Sequence, residues 1–599
     1  MSLFFGATEY SRWQAGEPKI EQKRKAHPIL ILIGSSVSGI MQKFILQSLT
    51  WVQERLTLEA VVTALLISAI SYFGVNSVEW SLGEWVHISF RVLFGAATVL
   101  LLLSFAGPIT KAIMVAVYTA TFLINRTHYD LFGSRISMGG FYSLFETDQR
   151  EASEFFHLIP TTSLIVVPLF ALVVAFLLYR LKPGKVSVKW AALVWLVLAS
   201  IPMGVALSSK GVRFDMFTNP VTTVSRVYKG VPVIGEGLLT ASYYHEKAGF
   251  SELIATTQPD FLVADSTLLA TDLVVLVIGE SSTRHHYSLY GYGTKTTPFL
   301  DRLAEDDPNF VAFTNAVSPS PLTRESLKRA LTFATVEDVA PYKELWNVVD
   351  MANNAGYYTS WISNQAPVGA FDTVVGAIAH LSDEHAFISH EVGGDKMDVE
   401  LGRRFSELLE QRPEGKLFVV LHMIGSHYKY SKRSEESDKQ AMIALNSVSP
   451  DYDATIYHSD RMLRSVLEAA EGDSRSAALM YFSDHGEEVA GGAHGFPQLS
   501  KVQVDVPFLV WYDTTYADST RVNRIKRHKD DLYSIEDASY LLAEMLGWSV
   551  TDRNTHLISS DAYVPRIPHI YNVDGEITEY QIELPHSVAG EPSKTNQVK

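Results

Sequence analysis

The chain has 599 residues, too many for a single hydrophobic core, and 47% of them are hydrophobic, more than a soluble protein with ordinary loops carries. Its formal charge of −16 argues against a nucleic-acid partner, because a polyanion is bound by a basic face and none stands out. The lack of cysteine excludes thiolate metal sites, thiol catalysis and disulfides.

The apolar residues crowd into the first 210 positions, which points to a membrane-anchored protein. Residues 1–57 read as a cytoplasmic or interfacial segment; within it, Ile29 to Leu46 is interrupted by "GSSVSG" and carries Gln42 and Lys43, the pattern of a helix lying at the interface. Residues 58–208 then hold five stretches expected to span: Leu58 to Phe73, Ile88 to Ala106, Ile109 to Asn125, Thr161 to Tyr179 and Trp190 to Ser208. Lys19, Lys23, Arg24 and Lys25 precede the first, Lys111 edges the loop after the second, and Arg180, Lys182, Lys185 and Lys189 lie between the fourth and fifth. Lysine and arginine are retained inside, so the amino terminus is expected in the cytoplasm, everything after Ser208 outside, and the first span as an uncleaved signal. The outer loop 126–160 is too long for a plain connector. In its "FYSLFETDQREASEFF", Ser143, Thr147 and Glu151 recur every four residues, which predicts one face of a helix at the membrane surface.

A linker is expected over 209–265, an α/β domain with a mostly parallel sheet over 266–575, and a tail over 576–599. The runs Leu273 to Ile278, Leu417 to Met423, Ala478 to Ser483 and Val506 to Tyr512 read as buried strands, and "YDATIYHSDRMLRSVLEAAE" as a helix. Ligands of such sheets bind beyond the carboxyl ends of the strands. The first strand ends at Glu280, the second runs into "LHMIGSH" with His422 and His427, the third ends in "SDHGEE" with Asp484 and His485, and His494 follows in "GGAHGFP". Carboxylate and imidazole are the ligands zinc accepts when no thiolate is present, so several strand ends delivering them to one edge point to a zinc site. A metal there can turn a hydroxyl into a nucleophile. Ser281, Ser282 and Thr283 are nearest in sequence; Thr323 in "SPSPLTRESLKRALTF" stands after a proline-rich turn, where a helix start offers N–H donors to a phosphoryl group.

The span pattern together with the ordered set "GES", "PLTRESL", "LHMIGSH" and "SDHGEEVAGGAHG" resembles the bacterial phosphoethanolamine transferases, inner-membrane enzymes of the alkaline phosphatase and sulfatase superfamily. The resemblance implies a five-helix transmembrane domain followed by a periplasmic α/β/α sulfatase-like domain. It implies zinc ligation by Glu280, Asp484 and His485, with Thr323 as nucleophile and His427 and His494 around the phosphoryl group or a second zinc. It further implies phosphatidylethanolamine as donor, diacylglycerol as by-product, and lipopolysaccharide, lipid A or a periplasmic glucan as acceptor. The family's Asn-Thr-Glu triplet for the donor head group is matched here by Thr147 and Glu151, with Ser143 in place of the Asn. The missing cysteines, "SLYGYGTKTTPFLDRL" and "WISNQ" look more like the cysteine-poor members acting on lipopolysaccharide core or periplasmic glucans. Two rivals stand beside this reading: a phosphoglycerol transferase of the lipoteichoic acid synthase type and a non-catalytic lipid-binding sensor. A sulfatase proper is disfavoured, because the C/S-x-P-x-R motif converted to formylglycine is missing.

Overall fold

The structure, a computed structural model, describes residues 57–580 apart from short internal stretches, chiefly 76–81, most of 148–158, 182–185, most of 209–219, 249–255, 366–372, 391–395, 490–498 and 515–518. The interfacial helix expected at Ile29 to Leu46, Glu151, His494 and the end of the tail lie outside the described residues.

The membrane half is built from α1 (Leu58–Phe73), α2 (Leu82–Leu103), α3 (Pro108–Phe132), α4 (Met138–Glu146), α5 (Thr161–Arg180) and α6 (Val188–Ala206). Among the described residues, four helices are long and apolar enough to cross a membrane: α2, α3, α5 and α6. The fifth expected span, α1, is apolar but only 16 residues long. Their shared core includes Ala64, Ile67, Val99, Tyr118 and Val174, and Phe122 of α3 stacks on Phe170 of α5 with ring centroids 3.9 Å apart. Helix α3 continues past Asn125 to Phe132, so its carboxyl end is longer than the hydropathy suggests. Arg126 pairs with Asp130, and Asp130 accepts 2.7 Å hydrogen bonds from Thr162 and Ser163, which lets the polar end of the helix remain ordered.

In the loop after α3, the helix that begins at Met138 ends sooner than the spacing predicts. Helix α4 stops at Glu146, and Thr147 turns its Oγ1 back to donate to the Ser143 carbonyl at 2.6 Å. The segment 209–265 is not bare connector, since it contains α7 (Pro220–Val227) and α8 (Ile234–Ala248).

The carboxyl-terminal α/β half is organised by one seven-stranded sheet. Its strands are β1 (Leu273–Gly279), β2 (Phe310–Ala312), β3 (Tyr358–Ser363), β4 (Glu384–Phe387), β5 (Leu417–His422), β6 (Ala477–Ser483) and β7 (Phe508–Tyr512), in the spatial order β2-β7-β6-β1-β5-β3-β4. The five strands from β6 to β4 run parallel, and β7 and β2 add an antiparallel edge. Strand β1 is central and wholly buried: Val274, Leu276 and Ile278 enter the core on one face, and Leu273, Val275 and Val277 the core on the other. Period-two alternation with both faces apolar is what a strand covered by helices on both sides requires. The register aligns Ile278 with His422 of β5 and Gly279 with Ser483 of β6, so the polar residues that follow these strands emerge side by side.

Candidate metal centre

Glu280 follows β1, Asp484 and His485 follow β6, and the three are brought together with one ligand atom each within 4.8 Å of the others. All are buried. Thr323, the first residue of α9 (Thr323–Ala330), joins them from across the cleft. Its Oγ1 lies 3.2 Å from Glu280 Oε2, 3.4 Å from Glu280 Oε1 and 3.3 Å from His485 Nε2, and His485 Nε2 is 3.4 Å from Glu280 Oε1 and 3.6 Å from Asp484 Oδ2. Ligand atoms about 2.0–2.1 Å from a tetrahedral zinc stand about 3.3–3.4 Å apart, the spacing seen here.

The individual atoms are prepared in the same sense. His485 Nδ1 is 2.7 Å from the Gly486 carbonyl, which can only accept, so Nδ1 carries the proton and Nε2 presents its lone pair to the cluster. Asp484 Oδ1 accepts the backbone N–H groups of Ser281 at 3.0 Å and His485 at 2.7 Å, whereas the buried Oδ2 accepts no hydrogen bond. A buried carboxylate oxygen left bare on the side where a second carboxylate approaches is costly unless a cation faces both. Burial, and then the Asp484 charge, push the Glu280 carboxyl well above its ordinary range, so the pair repels in the absence of a counter-charge. The donor set of two carboxylates, one imidazole and one hydroxyl therefore fits zinc.

Local backbone geometry makes this convergence possible. Ser281 adopts φ 53°, the left-handed region, at a cost of about 1–2 kcal/mol. That turn lets its N–H reach Asp484 while its Oγ donates to Glu280 Oε1 at 2.7 Å. The other neighbouring hydroxyls point elsewhere: Ser282 Oγ meets the Tyr287 hydroxyl at 2.8 Å, and Thr283 Oγ1 lies 3.3 Å from the Asp505 carbonyl. Of the four hydroxyls left open by the sequence, only Thr323 faces both Glu280 and His485.

Two glycines are required by close approach. A Cβ on Gly425 would sit 2.6 Å from the Glu280 carbonyl oxygen, and one on Gly486 2.0 Å from that of Val502. Through Gly425, the "GSH" loop folds over Glu280, whose carbonyl accepts from Ser426 N at 2.8 Å. His427 follows, half-buried, with Nδ1 2.8 Å from the Tyr428 carbonyl, and is not one of the grouped ligands. His422 is buried at the end of β5 with Nδ1 3.3 Å from Ser363 Oγ, and burial pushes its imidazole down to about 4, so it is neutral. Ser143 and Thr147 stand on or just beyond α4, and α4 packs on α9 where a Cβ on Gly139 would meet the Leu322 side chain at 2.3 Å.

Other residues that shape the site escape sequence reasoning. Asp398 accepts from Ile424 N at 3.0 Å, Gly425 N at 2.8 Å and Asn364 Nδ2 at 2.8 Å, which pins the "GSH" loop. Ser318 and Ser326 both donate to the Asp484 carbonyl at 2.6 Å, and the Tyr452 hydroxyl bridges the Ser281 carbonyl and Thr283 N. No spacing announces them, because each is far in sequence from the group it holds.

A family model described as Sulfatase matches residues 272–549. The phosphoethanolamine transferase EptC of Escherichia coli K12 is 27% identical over 475 residues, covering 74% of this chain and 80% of that protein. The phosphoethanolamine transferase CptA of Salmonella typhimurium is 27% identical over 481 residues, again covering 74% and 80%. Among solved structures, the integral membrane protein lipooligosaccharide phosphoethanolamine transferase A from Neisseria meningitidis shares the fold, with a TM-score of 0.61 at 18% identity over 84% of this chain and 98% of that one.

Proposed function

Since the chain is a homologue of the phosphoethanolamine transferases and carries a sulfatase-type catalytic domain, we propose that it transfers phosphoethanolamine from phosphatidylethanolamine to a cell-envelope acceptor, a lipopolysaccharide, lipid A or periplasmic glucan hydroxyl. The observation that carries the reading is the position of Thr323 Oγ1, within 3.4 Å of both Glu280 and His485 at the start of a helix.

In this reading Glu280, Asp484, His485 and Thr323 hold a zinc ion, which when bound supplies the positive charge that lowers the pKa of the threonine hydroxyl and offsets the two buried carboxylates. Thr323 Oγ1 attacks the phosphorus of the donor lipid. The bond from phosphorus to the glycerol oxygen breaks, and diacylglycerol leaves with the proton that Thr323 gave up. A hydroxyl of the acceptor then displaces Thr323 from the phosphoethanolamine and returns its proton. The N-terminal end of α9 favours the negative charge of the transferred group. His427 and His494 serve the phosphoryl group or a second zinc, and Ser143, Thr147 and Glu151 serve the ammonium and phosphate of the donor. The distribution of lysine and arginine around the spans supports an amino terminus in the cytoplasm and a catalytic half in the periplasm of the inner membrane.

Peptide mass spectrometry of the full chain, exposed to labelled phosphatidylethanolamine or phosphatidylglycerol without acceptor, tests this. The expected result is a phosphoethanolamine adduct on Thr323, released diacylglycerol, and loss of both in Thr323→Ala. A phosphoglycerol adduct would instead assign the lipoteichoic acid synthase type of chemistry, and no adduct from either lipid would leave a binding role.

A further inference from the structure

Helix α9 is an anomaly of burial. Its sequence, TRESLKRA, holds three cations and one anion, yet Glu325, Ser326, Leu327, Lys328, Arg329 and Ala330 are all buried. Charges taken out of water need partners, and the helix contains too few. Glu325 serves Lys328 at 3.0 Å and Arg329 at 2.9 Å. The second anion is supplied from outside the catalytic half. Glu246, near the end of α8, places Oε1 2.6 Å from Lys328 Nζ and Oε2 3.0 Å from Arg324 Nη2. Burial alone would raise the Glu246 carboxyl, but Arg324 and Lys328 outweigh it and hold it well below the usual carboxylate range.

Aromatic rings complete the enclosure. The Arg324 guanidinium lies 5.1 Å from the ring of Tyr142 on α4 and 5.5 Å from that of Tyr243 on α8, and the two tyrosines pack edge to face. The Tyr142 hydroxyl is 2.7 Å from Ser242 Oγ, which ties α4 to α8. On the other flank of Thr323, Leu322 packs on Gly139, whose N–H donates to the Val573 carbonyl at 3.1 Å. Both neighbours of Thr323 are thus gripped by helices that belong to the membrane side of the molecule.

We infer that Glu246, with the Tyr142–Tyr243 pair behind it, is a positioning residue: docking of the catalytic half on α4 and α8 fixes the register of α9 and so aims Thr323 at Glu280 and His485. Glu246 touches neither the metal ligands nor the reacting phosphorus; it acts through Arg324 and Lys328. The inference rests on Thr323 as nucleophile, and the experiment separates the two claims.

The full chain in lipid nanodiscs is mixed with phosphatidylethanolamine, and the single-turnover rate of Thr323 adduct formation is measured together with bound zinc and the KM for the donor. In Glu246→Gln the adduct rate is expected to fall at least ten-fold with zinc content and KM within two-fold of the parent, and Glu246→Asp, which restores the charge, is expected to recover most of the rate. Glu246→Gln/Lys328→Met, which removes one of the two cations that lose Glu246 as a partner, keeps the test decisive where the single variant does not fold, and should also be slow with full zinc. A parental adduct rate in Glu246→Gln overturns the inference while leaving Thr323 as nucleophile. Loss of zinc in step with rate in every variant also overturns it, by showing that Glu246 only supports the fold. Absence of adduct in the parent chain would strike the proposed function itself.

Discussion

The two halves of the molecule solve opposite solvation problems with the same side chains. In the membrane half many large apolar residues also face outward: on α5 and α6, Leu164, Leu169, Leu172, Leu196 and Val197 are exposed, and Ala191 is the buried residue of α6. In the catalytic half all of β1 is buried. The polar groups differ as sharply. At the carboxyl end of α3, Asp130 is satisfied by Arg126, Thr162 and Ser163, so these groups close on one another. At the sheet edge Asp484 Oδ2 is left bare and Glu280 is pushed toward neutrality. Internally satisfied polar groups hold an architecture together, whereas convergent unsatisfied ones mark the place where a metal and a substrate complete the structure.

That contrast can be broken most decisively at Asp484. Replacing it by alanine should lower phosphoethanolamine transfer by about a thousand-fold or more and abolish tight zinc binding, while leaving the membrane helices folded. Zinc content by elemental analysis and helicity by circular dichroism measure the two arms, and full zinc in a folded Asp484→Ala chain would refute the assignment of the unsatisfied oxygen. Next in size is Asp398→Ala, which removes three hydrogen bonds to one carboxylate and should cost the catalytic half about 2–4 kcal/mol, read from its denaturant midpoint.

A pH effect should separate the halves further. Burial raises the Asp460 carboxyl to about 7 despite its hydrogen bonds from Phe299 N and Leu300 N, and burial, followed by the Asp537 charge, raises that of Glu536 to about 7. Between about pH 4 and 7 the folded domain retains protons that the unfolded chain has lost. Stability contributed by these groups is therefore fully present below about pH 4 and lost as pH rises through 7. Thermal scans should show this loss for the catalytic half, and Asp460→Asn should flatten it; an unchanged slope would show that Asp460 ionises normally. The smallest effect is expected at the carboxyl end of α3, where Asp130→Asn keeps hydrogen bonds to Thr162 and Ser163 and should cost about 1 kcal/mol or less. A larger loss of thermal stability would mean that this carboxylate is more than a helix tie.

The same contrast governs how much could be read from the sequence. Strands β1, β5 and β6 were legible because burial on both faces demands uninterrupted apolar residues, and the polar residue ending each run was legible for the same reason. Strands β3 and β4, "YTSWIS" and "EHAF", lie at one side of the sheet and mix polar with apolar residues, so no period singles them out. Helix α4 ends at Glu146 although Thr147 N and Oγ1 both donate to the Ser143 carbonyl, and four-residue spacing does not reveal where it stops. That Thr323, and not Ser281, faces both Glu280 and His485 goes with the left-handed backbone at Ser281, which no residue type there announces. Glu246 was silent for a deeper reason, since its partners Arg324 and Lys328 are brought to it by the fold alone.

The pairing of Gly279 with Ser483 constrains how this protein can change over time. Side chains alternate faces along a strand, so inserting or deleting one residue within β1 or β6 would shift Glu280 or Asp484 along the edge and turn it to the wrong side. Substituting one aliphatic residue for another inside either strand would do neither. Descendants of this sequence are thus free to exchange valine, leucine and isoleucine within these strands, but the number of residues in each is fixed by the chemistry at its end, which makes strand length a more durable trace of the activity than strand composition.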